Sequence, residues 1–169
     1  MYTGILKSEK PVSVRGAPLE RAKVLKTLKS GDKVVVLGEY QKKWAQVRVG
    51  KKDILGYVPL DSIGYYDGSP WEAINLVDRY AKISGEVVSV REGKKTFSLI
   101  FGDEQHPIFT AIIFKKMLGK LRQQGFPNPK SLKGKRVALL GKVQQYRVPE
   151  IIIFKKKQIQ ILGPGSGAH

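Results

Sequence analysis

The sequence predicts a mostly β protein built from two small barrels, and three observations lead to that prediction. Short apolar runs recur along the chain between turns rich in Gly, Pro, Asp and Lys. The 169 residues are enough for two small domains. A turn-rich break divides them near the middle. We expect a first barrel over residues 1–63, a linker with a short helix over 64–80, a second barrel over 81–162, and a disordered tail or tag over 163–169.

The first half has the strand spacing of a small all-β domain. A strand containing Val14 is followed by a small-residue loop, and a turn at Lys29–Asp32 leads into a compact strand at Val34–Leu37. Trp44–Val49 alternates apolar and polar side chains, as a half-buried strand does. Ile54–Val58 is the last strand of the set. The spacing is typical of a small barrel.

Five features of this half occur in a recognisable order: Val14-Arg15, the loop GAP at 16–18, LKSGDKVVVL at 28–37, the Trp-containing strand WAQVRV at 44–49, and GYV at 56–58. This order resembles the bacterial SH3-like family over about a third of the chain. The resemblance implies a small barrel that serves as a targeting module for cell wall or for proteins. Members that target the cell wall commonly follow a signal peptide or flank a hydrolase domain, and neither is found here.

Three aromatic residues of the first half are candidates for a shallow peptide groove: Tyr40, Trp44 and Tyr57. The alternative is that Trp44 and Tyr57 pack in the core or at the rim of the barrel. A domain of this size depends on its aromatic residues for stability, which favours the packing role.

The junction predicts a short helix. Ser69-Pro70 is a typical cap and first-turn pair, and Trp71, Ile74 and Val77 recur at helical spacing. We expect a helix over Trp71–Tyr80 that packs this apolar stripe against one of the barrels.

The second half predicts three strands in succession. Residues 81–90 alternate and lead into a basic turn at Arg91–Lys95, after which Thr96–Phe101 forms a returning strand. The run Ile108–Phe114 is almost continuously apolar, which is typical of a strand covered on both faces.

A helix and two further strands complete this half. Lys115–Gln124 has apolar residues at helical spacing, so we expect Met117 and Leu121 to face the core. Strands at Val137–Val143 and Glu150–Phe154 follow. The element order is strand, strand, strand, helix, strand, strand, which fits a five-stranded Greek-key barrel.

Three phrases carry a second resemblance: GEVVSVREGKKTFSLIFGD at 85–103, FTAIIF at 109–114 and KGKRVALLGKVQQYRVPEIII at 133–153. They resemble the OB-fold nucleic-acid-binding family over about half the chain, most of all the small OB domains that accompany nuclease-like and other bacterial DNA-associated proteins. The resemblance implies a barrel with one helix between its third and fourth strands. It also implies a ligand over the second and third strands, between the loops Arg91–Lys95 and Gln144–Pro149.

Cations in these loops would contact phosphates, and an exposed aromatic ring would stack on a base. Tyr146 beside Arg147 combines the two. Phe97 and Phe109 are weaker stacking candidates, because strand alternation turns some of these rings into the core. The nucleic-acid-binding candidates are Arg91, Lys94, Lys95, Phe97, Lys142, Tyr146, Arg147, Lys155 and Lys156.

The charge favours a polyanionic partner. The formal net charge is +17, and residues 81–169 carry 17 basic side chains against 5 acidic ones. Such a chain attracts polyanions and gains free energy from counterion release when it binds them. The alternative is that Lys keeps a β protein soluble and protects its sheet edges.

Several chemistries find no support in the sequence. There is no Cys, which excludes disulfides, thiol catalysis and cysteine–zinc sites. The two histidines are far apart, and the carboxylates are too scattered to predict a metal site, so nuclease activity does not follow from the resemblance. We expect no enzyme activity, no cofactor and no metal.

The sequence does not fix a compartment. It contains no apolar run long enough for a membrane-spanning helix. We expect a cytoplasmic protein if Met1 is native, and an envelope or exported protein if a leader was removed.

Two functions compete on these grounds. The leading hypothesis is a non-enzymatic nucleic-acid-binding protein that prefers DNA to RNA and single strands to duplexes, with little sequence specificity. Its SH3-like domain would add basic surface or recruit a partner. The alternative is a cell-envelope or peptide targeting protein whose SH3-like module binds peptidoglycan or a protein.

Overall fold

The computed structural model describes residues 1–165. Strands account for 52% of them and helices for 16%, so the mostly β class is confirmed. The chain divides into two compact units: unit 1 comprises Met1–Tyr66 and Asp78–Tyr80, and unit 2 comprises Asp67–Val77 and the chain from Ala81 onward. The last strand reaches Pro164, and the remainder of the predicted tail, residues 166–169, lies outside the described residues.

Unit 1 contains one antiparallel sheet. Its strands are β1 Tyr2–Leu6, β2 Val12–Arg15, β3 Val24–Leu28, β4 Lys33–Tyr40, β5 Trp44–Val49, β6 Ile54–Pro59 and β7 Ile63–Gly64. The strands pair in the order β3-β2-β6-β5-β4-β1-β7.

The core of unit 1 is aliphatic and follows from strand alternation. In β5, Ala45, Val47 and Val49 are buried, while Trp44 and Gln46 point to the other face. Each fully buried Val or Leu stabilises the fold by about 1.5–3 kcal/mol relative to exposure. The buried cluster is Leu6, Val14, Leu28, Val34, Val36, Ala45, Val47, Val49 and Val58.

Unit 2 contains two sheets. The strands are β8 Tyr66–Gly68, β9 Tyr80–Glu86, β10 Ser89–Glu92, β11 Thr96–Gly102, β12 Pro107–Phe114, β13 Lys135–Lys142, β14 Gln144–Gln145, β15 Pro149–Ile152 and β16 Ile159–Pro164. One sheet has the order β10-β11-β12-β15-β14, and the other has the order β16-β13-β9-β8.

Two chain segments contribute strands to both sheets of unit 2. Between β9 and β10, the Val87 N–H donates to the Lys135 carbonyl at 2.9 Å, whereas the Val88 N–H donates to the Ile100 carbonyl at 2.9 Å. Only Val143 separates β13 from β14 in the same way. The predicted single strand over 81–90 is therefore two strands with a bend between them.

No sheet closes into a barrel within residues 1–165. The prediction of two small barrels is therefore not confirmed. In unit 2, β12 pairs in parallel with β15, where Thr110 pairs with Glu150 and Ile112 with Ile152.

The predicted helix of the junction is a 3₁₀ helix, Pro70–Leu76. The Ser69 N–H donates to Glu72 Oε1 at 3.0 Å, and buried Pro70, Ala73 and Leu76 face β11, β12 and β15. Trp71 is 70% exposed and Ile74 56% exposed, so the prediction that their stripe packs inward is wrong. A 3₁₀ helix has three residues per turn, so residues three apart in the chain share a face. The row with Pro70, Ala73 and Leu76 is buried, and the adjacent row with Trp71 and Ile74 is exposed.

The predicted helix over 115–124 is shorter and mixed. A 3₁₀ turn at Lys115–Met117 precedes helix α1, Leu118–Gln123. Leu121 is fully buried, while Met117 is only half-buried. A second 3₁₀ turn, Pro129–Leu132, leads toward β13.

The core of unit 2 is rich in aromatic and branched residues. Phe101 and Phe109 contact each other edge to face, with ring centroids 5.4 Å apart. Along β11, β12 and β15, residues that point into the core alternate with residues that point to the other side, which is the outward face of the five-stranded sheet. The inward set is Phe97, Leu99, Phe101, Phe109, Ala111, Ile113 and Ile151.

Candidate nucleic-acid interface

The outward face of the five-stranded sheet is built from two rows of side chains in register. Paired residues on neighbouring strands point to the same side of a sheet. One row runs from β10 across to β15, and the next runs on to β14. The rows are Arg91-Ser98-Ile112-Ile152 and Ser89-Ile100-Thr110-Glu150-Gln144.

A groove of about 690 Å³ lies over this face, and we call it the unit 2 groove. Aliphatic and hydroxyl side chains form its floor, and the loop between β14 and β15 supplies Tyr146 and Arg147 at its side. The lining residues are Arg91, Thr96, Ser98, Ile100, Pro107, Thr110, Ile112, Phe114, Gln144, Tyr146, Arg147, Val148, Glu150 and Ile152.

Arg91 is held at the groove by the loop between β11 and β12. Its Nη2 donates to the Glu104 carbonyl at 2.7 Å, and Ser89 Oγ donates to Glu104 Oε1 at 3.0 Å. Asp103 orders the same loop, because its Oδ1 accepts hydrogen bonds from the Gln105 N–H at 2.7 Å and the His106 N–H at 2.9 Å. These backbone hydrogen bonds lower the pKa of the Asp103 carboxyl. The guanidinium is therefore positioned rather than free to rotate.

Tyr146 and Arg147 project from the β14–β15 loop. The Tyr146 ring is 73% exposed, and the Arg147 guanidinium carbon lies 5.9 Å from its centroid. The Tyr146 N–H donates to the Val148 carbonyl at 3.3 Å, which closes the loop. An exposed ring next to a cation offers both stacking and charge to a ligand.

Glu150 places a buried carboxylate on the groove floor. The residue is 8% exposed, and its Oε1 accepts a hydrogen bond from Gln144 Nε2 at 2.9 Å. Glutamate is almost never this buried without a partner. Nothing in the sequence signals this pair beyond the place of Glu150 in the last predicted strand.

Five predicted lysines lie away from the groove lining. Lys94 and Lys95 are exposed in the β10–β11 turn, and Lys142 is exposed at the end of β13. Lys155 and Lys156 are exposed after β15. None of these five side chains is among the groove residues.

The loop that carries Lys155 and Lys156 is well ordered. The buried Gln158 side chain accepts the N–H groups of Phe154 and Lys155 at 2.7 and 3.1 Å. It also donates to the carbonyls of Leu140 and Ile152 at 3.1 and 2.9 Å. The lysines are therefore displayed on a fixed backbone.

A carboxylate neutralises part of the charge beside the β10–β11 turn. Glu92 accepts from Lys115 at 2.9 Å and contacts Lys130 at 3.0 Å. These hydrogen bonds lower the pKa of the Glu92 carboxyl. Two lysines of unit 2 are thus engaged within the protein.

The phenylalanine predictions need correction. Phe97 is 8% exposed and Phe109 fully buried, so both rings belong to the core and neither is available for stacking. The aromatic ring of the outward face is Phe114, which sequence analysis missed. Residues 109 and 114 are separated by an odd number of positions along β12, so their side chains point to opposite faces of the strand. Once Phe109 is assigned to the core, Phe114 must lie on the outward face.

Unit 1 has its own exposed cluster, which we call the aromatic face: Tyr40, Trp44 and Tyr57. Tyr40 pairs with Trp44 across the β4–β5 turn, and the Tyr40 and Tyr57 rings lie 6.2 Å apart, edge to face. Gln46 Nε2 donates to the Tyr57 hydroxyl at 3.4 Å. The three rings lie on the outer face of the sheet and not in the core.

A depression of about 790 Å³ begins at Trp44. Its lining carries three cations and two carboxylates. It is lined by Arg15, Glu20, Lys42, Lys43, Trp44, Pro59, Leu60 and Asp61.

No protein-family model matches the chain, and no curated protein matches it either. Within residues 1–165, no helix is long and apolar enough to cross a membrane. In the same range, no three His, Asp or Glu residues group in a way that would hold a metal ion.

Proposed function

We propose that this chain is a non-enzymatic nucleic-acid-binding protein that holds single-stranded nucleic acid, DNA in preference to RNA, along the unit 2 groove. One observation carries the proposal. The groove brings together Arg91 of strand β10 with Tyr146 and Arg147 of the β14–β15 loop, in the part of the chain with 17 basic and 5 acidic side chains. Charge and an exposed ring at one groove are what single-strand binding requires.

We include in the proposal that unit 2 is an OB-type fold. Three features support this assignment. If β9–β10 and β13–β14 each count as one bent strand, three strands (β9–β10, β11 and β12) precede α1 and two (β13–β14 and β15) follow it, with β8 and β16 in addition. The others are the parallel pairing of β12 with β15 and the two segments shared between sheets. Ligands of OB folds lie over the second and third strands, which correspond to β11 and β12 at the groove.

Unit 1, in the same proposal, is an SH3-like module that adds basic surface or recruits a partner. Its residues 1–63 carry 13 basic and 6 acidic side chains, a smaller excess than that of unit 2. The close crossing of β2 and β6 supports the assignment, since a Cβ on Gly56 would lie 2.8 Å from the Arg15 carbonyl oxygen.

The binding mechanism follows from the groove chemistry. Arg91 and Arg147 neutralise phosphates and release counterions, which gives affinity without sequence readout. A base stacks on Tyr146, which contributes about 1–3 kcal/mol. The aliphatic floor gives a second base an apolar surface to cover.

Fluorescence anisotropy at two salt concentrations tests the proposal, with labelled single-stranded DNA, duplex DNA and RNA. We expect single-stranded DNA to bind most tightly. Tyr146→Ala should weaken it about tenfold through the lost stacking. The double variant Arg91→Ala/Arg147→Ala should reduce the slope of log affinity against log salt by about 1.4, since each phosphate contact to a single strand contributes about 0.7.

A matched control removes the same charge from helix α1. Lys120→Ala/Arg122→Ala changes two exposed cations of unit 2 that do not line the groove. We expect its affinity to fall much less than that of the arginine double variant. Equal losses in both, or equal binding of every polyanion, would mean that the charge acts generically and would remove the groove from the mechanism.

A second function rests on the aromatic face of unit 1. Tyr40 is 48% exposed, and Trp44 borders a depression, an arrangement suited to a peptide or to peptidoglycan. Sedimentation with insoluble peptidoglycan tests it. Binding that Tyr40→Ala/Trp44→Ala abolishes and Tyr146→Ala leaves intact would favour envelope or peptide targeting over nucleic-acid binding.

A further inference from the structure

The unit 2 groove contains one feature that phosphate binding does not use, the carboxylate of Glu150. Glu150 lies between Thr110 of β12 and Gln144 of β14 in the second row of the sheet face. A negative charge repels phosphate, so a carboxylate on the floor favours a different ligand group. That group is a hydrogen-bond donor that enters the groove.

The carboxylate is oriented and retains accepting capacity. Gln144 Nε2 donates to its Oε1 at 2.9 Å, and an ionised carboxyl accepts about four hydrogen bonds through its two oxygens. The residue is more than nine-tenths buried, with Ile100, Ile112 and Ile152 beside it on the floor. In such surroundings a hydrogen bond to a charged acceptor is strong.

The groove has a cationic part and an acidic part. Arg91 and Arg147 supply the cations for a phosphate backbone, while Glu150 and Thr110 lie on the floor where bases would rest. Phosphates and bases of a single strand point in different directions, so the groove can serve both.

We propose that Glu150 is a specificity-determining residue that accepts a hydrogen bond from the exocyclic amino group of a base, with Gln144 as the positioning residue for its carboxylate. The inference rests on the proposed function. Cytosine N4 and adenine N6 are amino donors, and a carboxylate is a known acceptor for cytosine N4. Thymine and uracil carry the O4 acceptor at that position, which a carboxylate repels. The groove therefore selects amino-bearing bases over thymine and uracil.

Anisotropy with labelled oligo-dC, oligo-dA and oligo-dT of about 12 nucleotides tests this, a length within the roughly 4–16 nucleotides that one OB domain covers. We expect the unmodified chain to bind oligo-dC and oligo-dA about tenfold more tightly than oligo-dT. Glu150→Gln keeps the shape of the side chain and its contact with Gln144, but it adds a hydrogen-bond donor for thymine O4. The variant should bind oligo-dC, oligo-dA and oligo-dT with nearly equal affinity.

Glu92→Gln is the matched control. Glu92 pairs with Phe97 of the inward set and does not line the groove, so the variant removes the same charge away from the floor. Its affinity should rise equally for all three oligonucleotides, with the preference unchanged. A change of ratio equal to that of Glu150→Gln would mean that net charge causes the preference, and would overturn the inference.

The outcomes separate the inference from the proposed function. If the chain binds the three oligonucleotides tightly and equally, the base preference is wrong and the proposed function stands. If none binds even at low salt, the proposed function fails and the inference with it. If Glu150→Gln does not fold, as judged by circular dichroism, Glu150→Asp replaces it as the test, because it withdraws the carboxylate by one methylene. The ratio of its affinities for oligo-dC and oligo-dT should fall in the same way. An unchanged ratio would overturn the inference.

Discussion

The two units use aromatic residues in opposite ways. Unit 1 has an aliphatic core and presents Tyr40, Trp44 and Tyr57 on the outside of its sheet. Unit 2 buries Phe101 and Phe109 and presents mainly hydroxyl and aliphatic side chains outward, with Tyr146 at the side of the groove. Aromatic content therefore does not locate the ligand surface in either unit.

The difference lies in what surrounds each exposed ring. Tyr146 has Arg147 beside it and Arg91 fixed at the same groove, so a ring and two cations converge. In the aromatic face the Tyr40 and Tyr57 rings contact each other, and the depression at Trp44 includes Glu20 and Asp61 as well as cations. The groove lining has two arginines and one carboxylate, and the depression has three cations and two carboxylates, so the two surfaces differ in the exposed ring beside a cation and not in net charge.

The largest expected effect concerns the cores. Phe101→Ala should destabilise unit 2 by about 3–5 kcal/mol, because it removes a fully buried ring and leaves a cavity beside Phe109. Urea denaturation followed by Trp71 fluorescence in a Trp44→Phe background measures it. This background leaves unit 2 as the part of the chain that the tryptophan reports.

Trp44→Ala is the counterpart in unit 1, followed by circular dichroism. The ring lies on the outer face, so we expect a loss of only about 1 kcal/mol. A cost as large as that of Phe101→Ala would contradict the contrast between the two units.

A smaller effect appears at alkaline pH and is confined to unit 1. Burial raises the pKa of Tyr2 to about 12, with smaller contributions from Tyr80, whose ring lies 5.1 Å away, and from Glu39. Burial also raises the pKa of Tyr80. Because the folded pKa of Tyr2 exceeds the unfolded value of 10, its contribution to stability is complete below pH 10 and is lost as the pH rises toward 12.

Tyr2→Phe should therefore reduce the loss of stability between pH 10 and 12. Urea denaturation followed by Trp44 fluorescence in a Trp71→Phe background measures the free energy of unfolding at each pH. Lysine deprotonation acts on both variants alike and cancels in the comparison. An identical pH dependence in both proteins would show that Tyr2 titrates normally.

The smallest expected effect is on Trp44 fluorescence, which DNA binding should leave unchanged. In the Trp71→Phe background, saturating single-stranded DNA should leave Trp44 fluorescence unchanged, whereas a Tyr146→Trp reporter in a protein lacking both natural tryptophans should be quenched by base stacking. Quenching of Trp44 with no change at position 146 would move the binding surface to the aromatic face.

The sequence determined the mostly β class and the positions of most strands, because period-two alternation and turn residues are local properties. It also identified Ser69 as the N-cap of the 3₁₀ helix, since capping depends on adjacent residues, although the helix ends at Leu76 and not at Tyr80. The loops that it marked for binding include Arg91, Tyr146 and Arg147, which the fold brings to one groove.

Tertiary structure alone decided which of two equivalent faces is buried. Trp71 and Ile74 form as regular an apolar row as the one that packs, and Phe97 and Phe114 are equal candidates until the covering layer selects a parity. The same selection turned Glu150 toward the groove, where Gln144 reaches it across a strand pairing. Local sequence fixes the alternation of a strand, but burial depends on which elements distant in the chain cover each side.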